Sequence, residues 1–203
     1  MSPATPRAAA TRERLTDRPR RILDEAAFIV GQCGYYGFSI KELAERCGLT
    51  VAGVLHHFGS KDRLLIELLK DRDERDAQAV WRPATDGGHA PPTVDEVKQL
   101  LHDLVARNSG QPEIVRLYSM LRTESLYVEH PAHGYFRARD AGALKTFAAL
   151  VAPHVADTRS TARQLFALMG GLEELWLRDP ASFDLVAEWG KAAAKILPTA
   201  PRA

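Results

Sequence analysis

Val51, Ala52, Leu55 and His56 fall on one side of a short helical stretch whose other side carries Val54 and Phe58 at i, i+4. A helix that buries one side and turns small apolar groups and an imidazole outward suits entry into a DNA major groove. Thr50 stands where it can cap that helix. Ser39 can do the same for a preceding short helix, whose Ile40, Leu43, Ala44 and Cys47 share a side and whose end falls at Gly48, where a helix stop takes left-handed backbone. Ser60 can cap a third helix, whose stripe of Leu64, Leu65, Leu68 and Leu69 can close the small core. The pattern is that of a helix-turn-helix unit over about residues 39–58, and its chemistry is non-covalent recognition of nucleic acid.

Residues that could support catalysis or hold a metal do not gather elsewhere. His130 and His133 flank Pro131 and so share no regular helical face, and no cysteine or carboxylate cluster stands beside them at metal-ligand spacing. His102 and His154 are isolated. There is no glycine-rich phosphate loop, no Gly-x-Ser-x-Gly elbow and no His-Glu-x-x-His. The sequence therefore predicts neither an enzyme nor a cofactor or metal site. Cys33 and Cys47 both fall on expected inward helix faces, which reads as reduced core thiols, with a redox switch as the alternative. No apolar run approaches the roughly 20 residues of a membrane span, and the N-terminus has no apolar signal core. A cytoplasmic protein is expected.

The 203-residue chain has a formal net charge of +1, so affinity for nucleic acid must come from how charge is distributed. Residues 1–21 hold Arg7, Arg12, Arg14, Arg18, Arg20 and Arg21 against Glu13 and Asp17, whereas residues 22–80 carry a surplus of acid. Positive charge is thus concentrated in an arm, and Pro3, Pro6 and the Ala/Thr/Arg composition predict that residues 1–16 are unstructured in isolation. That arm is either a solvated tail or a set of arginines that settle along phosphates or in a minor groove.

The elements that must position these residues all read as helices. Asp17 and Pro19 open a first helix whose stripe, Ile22, Ala26, Ile29 and Cys33, ends near Gly34. The helix after Ser60 continues through the pairs Lys70/Glu74, Asp71/Arg75 and Arg72/Asp76, a solvated face, and residues 82–92 are a loop by composition. Thr93 and Glu96 form a capping-box signature opening a helix to about residue 108. Further helices are predicted over about 112–128, 133–151, 158–177 and 182–197. No alternating strand pattern competes, so the fold is expected to be all-α with about nine helices. The expected division is a flexible arm over 1–16, a three-helix DNA-binding domain over 17–78, and a larger helical domain over 79–203.

Arg21-Ile22-Leu23, Ala26-Ala27, Gly34, Gly37-Phe38-Ser39-Ile40, Leu43-Ala44, Cys47-Gly48-Leu49-Thr50, Leu55-His56-His57-Phe58 and Ser60-Lys61-Asp62-Arg63-Leu64-Leu65 together resemble the N-terminal domain of TetR-type (TetR/AcrR) transcriptional regulators. The match covers roughly residues 18–78. The resemblance implies a homodimeric DNA-binding regulator, most simply a repressor released from a near-palindromic double-stranded operator by a small effector. A constitutive or architectural DNA-binding protein without an effector is the alternative. It also makes Ser39, His56, His57 and Lys61 phosphate candidates, Lys61 being further favoured by its place at a helix N-terminus. Leu55 stands where the family commonly has a phosphate-binding tyrosine. Thr50, Val51, Ala52 and Gly53 begin the recognition helix, and Val51, Ala52 and Gly53 cannot form bidentate bonds to base edges. Sequence readout is then expected from thymine-methyl contacts, from Lys41 on the preceding helix, and from DNA shape.

The second domain offers a ligand lining and a dimer face. Trp81, His102, Tyr118, Met120, Glu124, Tyr127, Phe136, Phe147, Met169, Glu173 and Trp176 lie on helices expected to surround one another, and a few polar groups among aromatics and methionines suit a largely apolar effector with one or two polar handles. For each alone, ordinary core packing is the competing reading. The helix over 158–177 carries a row of Leu165, Leu168, Leu172 and Leu175 beside a row of Phe166, Met169 and Trp176, an arc broad enough for two interfaces. With Phe183, Val186 and Trp189 of the last helix, the resemblance implies a four-helix bundle with a second subunit. Gly170 and Gly171 each cost roughly 1 kcal/mol of helix propensity, which is expected where another helix backbone comes close.

Overall fold

A computed structural model of the chain describes residues 18–80, with side chains through 75, and residues 91–197. The arm over 1–16, Trp81 and the loop over 82–90 lie outside the described residues. Among the described residues there are nine α-helices and no strand, and no helix is long and apolar enough to cross a membrane. The chain divides into two compact units, Met1–Asp76 and Ala77–Ala203.

In the first unit, α1 (Arg18–Gly37) packs on α2 (Ile40–Cys47), and α2 on α3 (Val51–Phe58). The start of α4 (Lys61–Val80) supplies Leu64, Leu65, Leu68 and Leu69, each wholly buried, alongside buried Ile22, Leu23, Ala26, Val30, Phe38, Leu43 and Val54. Local chemistry fixes the joints. Ser39 Oγ accepts the Glu42 N–H at 3.1 Å, Thr50 Oγ1 the Gly53 N–H at 3.0 Å, and Ser60 Oγ the Arg63 N–H at 3.1 Å. At the end of α2, Gly48 is left-handed (φ 65°), and the N–H groups of Gly48 and Leu49 return to Glu45 O and Ala44 O. This is a Schellman stop, and it sets the tight turn into α3.

α1 departs from expectation at its end. It does not stop near Gly34 but breaks there, at φ 70° and ψ −178°, and resumes to Gly37. That backbone region is essentially confined to glycine. The apolar stripe outruns the core: Cys33 is exposed, not inward, and its thiol donates to Ile29 O at 3.2 Å. Cys47 is only partly buried.

In the second unit, α8 (Thr158–Arg178) is central, packing against α7 (His133–Val151), α9 (Leu185–Ile196) and α6 (Pro112–Glu124), while α9 also packs on α5 (Val94–Ser109). Val97, Leu101, Val105, Phe147, Val151, Leu165, Met169, Leu185 and Trp189 form one buried cluster. The expected capping box at Thr93 is present, its N–H donating to Glu96 Oε2 at 2.7 Å. α6 ends at Glu124, short of the expected 128. Ser125 Oγ bonds back to Arg122 O and successive turns lead to His133, leaving Leu126, Tyr127 and Val128 in solvent. The last helix begins later than residue 182, because Asp184 caps it through the Val186 and Ala187 N–H groups.

Candidate functional site

Burial of Val54 on one side of α3 orients the opposite side outward. Ala52 and His56 are exposed there, Val51 is 41% exposed, and Leu55 and Gly53 are half-buried at its margins. His57 is exposed too, its ring set edge-on to that of His56 at 5.9 Å and tilted against Phe58 at 6.2 Å. Ser39, Lys41 and Thr50 are exposed around the starts of α2 and α3. The hydroxyls of Ser39 and Thr50 are engaged as caps, yet each can still donate its own proton to an oxygen.

Lys61 is half-buried, and two aromatic rings fix where its charge stands. Its Nζ lies 4.3 Å from the ring centre of Tyr35 and 5.5 Å from that of Phe38. The Tyr35 hydroxyl donates to Asp62, and burial, followed by that bond and the Asp62 charge, raises the Tyr35 pKa. Elsewhere on this unit acids are taken up in ion pairs, Arg46 with Glu25 and Glu42, and Arg75 with Asp24 and Asp71. These pairs lie within residues 22–80 and leave the acidic surplus of that segment unchanged, and exposed pairs add little stability.

The residues expected to line an effector site separate into four groups. Phe136, Phe147 and Met169 are buried, and Trp176 packs partly buried against the same core as Phe147 and Met169. Tyr127 is 60% exposed on the turn after α6 and does not line an interior, because the helix that was to carry it inward has ended. Tyr118 is half-buried, edge-on to Phe136 with the Arg139 guanidinium 4.5 Å over its ring, and His102 is half-buried. Met120 and Glu124 do border a space, a cleft of about 370 Å³ between α6 and α8 that also takes in Arg116, Ser119, Thr123, Glu174, Leu177 and Arg178. Sequence reasoning passed over all six, the five other than Leu177 because polar residues on an amphipathic helix read as solvated face.

Between α5 and α8 lies a polar pair that helix patterning only hinted at through Glu173. Asn108 Nδ2 donates to Glu173 Oε1 at 2.6 Å, and burial raises the Glu173 carboxyl above the ordinary range against the pull of Asn108, Arg122 and Arg139. Arg122 bonds Asp140 at 3.2 Å and stacks over Phe166 at 4.6 Å. The same guanidinium explains Gly170, where a Cβ would stand 3.2 Å from Arg122 Nη1. Within the subunit, what comes close there is a side chain and not a helix backbone. A Cβ on Gly171 would meet nothing within 4 Å.

The expected dimer face is also redistributed. Leu165 and Trp189 are 0% and 1% exposed within the unit's own core, so neither is available to a partner. Leu168, Leu172, Phe183 and Val186 are partly buried against that core, and Leu175 is 57% exposed.

Residues 22–68 match the family described as bacterial regulatory proteins, tetR family. Over 71 residues the chain is 30% identical to the HTH-type transcriptional repressor AcnR of Corynebacterium efficiens, a stretch covering 35% of this chain and 38% of that protein. The chain thus aligns with well under half of that curated relative. The transcriptional regulator FadR from Bacillus subtilis in complex with stearoyl-CoA is 14% identical, covers 88% of this chain and 97% of its own, and superposes with a TM-score of 0.71. The SmeT–triclosan complex is 18% identical over 89% of this chain and 90% of its own, with a TM-score of 0.72. At these identities the two structures show a shared fold.

Proposed function

By its DNA-binding domain the chain belongs to the tetR family of bacterial regulatory proteins, and from that premise we propose that it is a homodimeric repressor released from a near-palindromic operator by a small, largely apolar effector. The observation that carries the reading is the outward side of α3, where Val51, Ala52 and His56 are exposed opposite buried Val54. Ser39 and Lys61 stand beside it for the phosphates, and Lys41 for base edges. Two-fold symmetry places two such helices in successive major grooves, about 34–36 Å apart. An arm rich in arginine over residues 1–16 would add affinity with little sequence preference.

The effector reading rests on the cleft between α6 and α8 and on the FadR and SmeT comparisons, whose structures hold stearoyl-CoA and triclosan. Met120 and Leu177 offer apolar contact, while Arg116, Arg178, Glu124 and Glu174 offer polar handles. Coupling of roughly 1–3 kcal/mol lowers operator affinity five- to 150-fold, and reciprocity makes DNA weaken the effector equally. α4 is the natural carrier: it begins in the first unit, and its residues 77–80 belong to the second. The constitutive alternative draws on a different observation, that Phe147 and Met169, expected to line a cavity, are packed in the core. Enriching a binding site from a random DNA pool and then challenging the complex with amphiphilic and apolar compounds separates the two. Release by one chemical class supports the effector reading. Retention against every class, with an empty cleft in crystals soaked with the same compounds, leaves the constitutive binder.

A further inference from the structure

Lys61 is not simply a lysine at a helix start. Its ammonium sits 4.3 Å from the centre of the Tyr35 ring and 5.5 Å from that of the buried Phe38, both contributed from outside its own helix. Tyr35 follows directly on the break at Gly34, whose glycine-only backbone sets the direction of the final turn of α1. The Tyr36 ring lies edge-on to it at 5.4 Å. The Tyr35 hydroxyl donates to Asp62, the acidic residue in the first turn of α4. One side chain therefore touches both charges at the helix start. It holds the cation over its face and engages the neighbouring carboxylate through its hydroxyl.

Resting on the DNA-binding reading above, we propose that Tyr35 is a positioning residue that holds Lys61 ready for a DNA phosphate at the N-terminus of α4. An ammonium is drawn to an aromatic face by the ring's electron density and carries three N–H donors, so a ring contact and a phosphate contact are compatible. A lysine already ordered against two rings loses less rotamer freedom on binding than one free in solvent. The hydroxyl bond answers a second difficulty. Asp62 favours the helix dipole but repels an incoming phosphate, and the phenol, kept protonated by burial and by Asp62 itself, shares that carboxylate's charge. The backbone N–H groups of the helix start and the Lys61 cation then face the phosphate together.

Binding to a mixed-sequence duplex of about 30 base pairs at low salt reads this contact without knowledge of the operator, because phosphate contacts are independent of sequence. Tyr35→Leu is expected to weaken binding about three- to fivefold and to flatten the salt dependence in the direction of Lys61→Ala. In a Lys61→Ala background the same change is expected to cost clearly less, because only the hydroxyl's hold on Asp62 is then left to lose. Tyr35→Phe, which keeps the ring and loses the hydroxyl, is expected to fall between wild type and the leucine variant. Equal losses from Tyr35→Leu with and without Lys61 make Tyr35 a residue of the fold alone and overturn the proposal, as does unchanged binding. Thermal unfolding of each variant identifies a folding defect, and Tyr35→Phe against Lys61→Ala still completes the cycle if the leucine variant unfolds. Wild-type binding indifferent to Lys61→Ala removes the phosphate role of Lys61 and overturns the proposal. Absence of wild-type binding on any DNA instead sinks the DNA-binding reading beneath it.

Discussion

Lys41 and Lys61 carry the same charge and are expected to fail differently when removed. Lys61 stands at the start of α4 against Tyr35 and Phe38, where phosphate is the partner its geometry suits, whereas Lys41 is exposed on the first turn of α2, ahead of the recognition helix. Phosphate contacts position and base contacts specify. Lys61→Ala should therefore weaken binding to every sequence alike and lower the magnitude of the salt slope by about one per subunit. Lys41→Ala should also relax preference at particular bases in an enriched pool. Identical base preferences in both variants would remove Lys41 from the reading surface. Glu173 poses a different residue-scale question. Burial raises its pKa, so the fold holds its proton more firmly than the unfolded chain does. Stability is then lost as pH rises from the ordinary carboxylate range, about 4.3, to the raised value, and stays reduced above it. Glu173→Gln keeps an acceptor for Asn108 and removes the charge, so its unfolding midpoint should exceed that of wild type at neutral pH and converge with it in acid. A difference constant across pH would contradict the assignment.

At the scale of elements, the joints around α2 and α3 are where local sequence has most control. Gly48 is left-handed with open space around the position of a Cβ, so Gly48→Ala meets no clash and pays only for its backbone. A loss of about 1–2 kcal/mol is expected in chemical denaturation, with DNA affinity falling only as far as the unfolded fraction grows. A loss above that range would mean that the turn is held by more than its torsion. The caps at Ser39, Thr50, Ser60 and Thr93 were legible for the same reason, since each is settled within four residues. Helix ends without such a signal were not. Nothing between Glu124 and Pro131 announces a stop, and the bond from Ser125 Oγ to Arg122 O that marks it is available to serines inside helices as well. Cys33 shows the matching limit of periodicity. It keeps the phase of Ile22, Ala26 and Ile29, but phase does not say where the covering partner ends.

For the whole molecule, the sequence showed that α8 is apolar over a broad arc but not which part of that arc its own unit uses. Leu165 and Met169 turn out to be core, while Gly171 and Leu175 point away from it, Gly171 with nothing within 4 Å of a Cβ and Leu175 57% exposed. A second copy seated on this side of α8 would bury the leucine and meet a helix backbone at close range over the glycine. Two changes test it from opposite directions. Leu175→Asp alters an exposed position, so the stability of the subunit should shift by no more than about 0.5 kcal/mol, whereas two carboxylates brought into an apolar interface should drive the dimer apart. Gly171→Ala should add up to roughly 1 kcal/mol to the helix of an isolated subunit, yet weaken a dimer in which backbones touch there. Sedimentation at graded concentration reads association, and thermal unfolding under monomeric conditions reads the subunit. The expected result is opposite signs for Gly171→Ala in the two measurements. A dimer undiminished by Leu175→Asp would move the two-fold axis off this side of α8, and with it the spacing at which two recognition helices could share an operator.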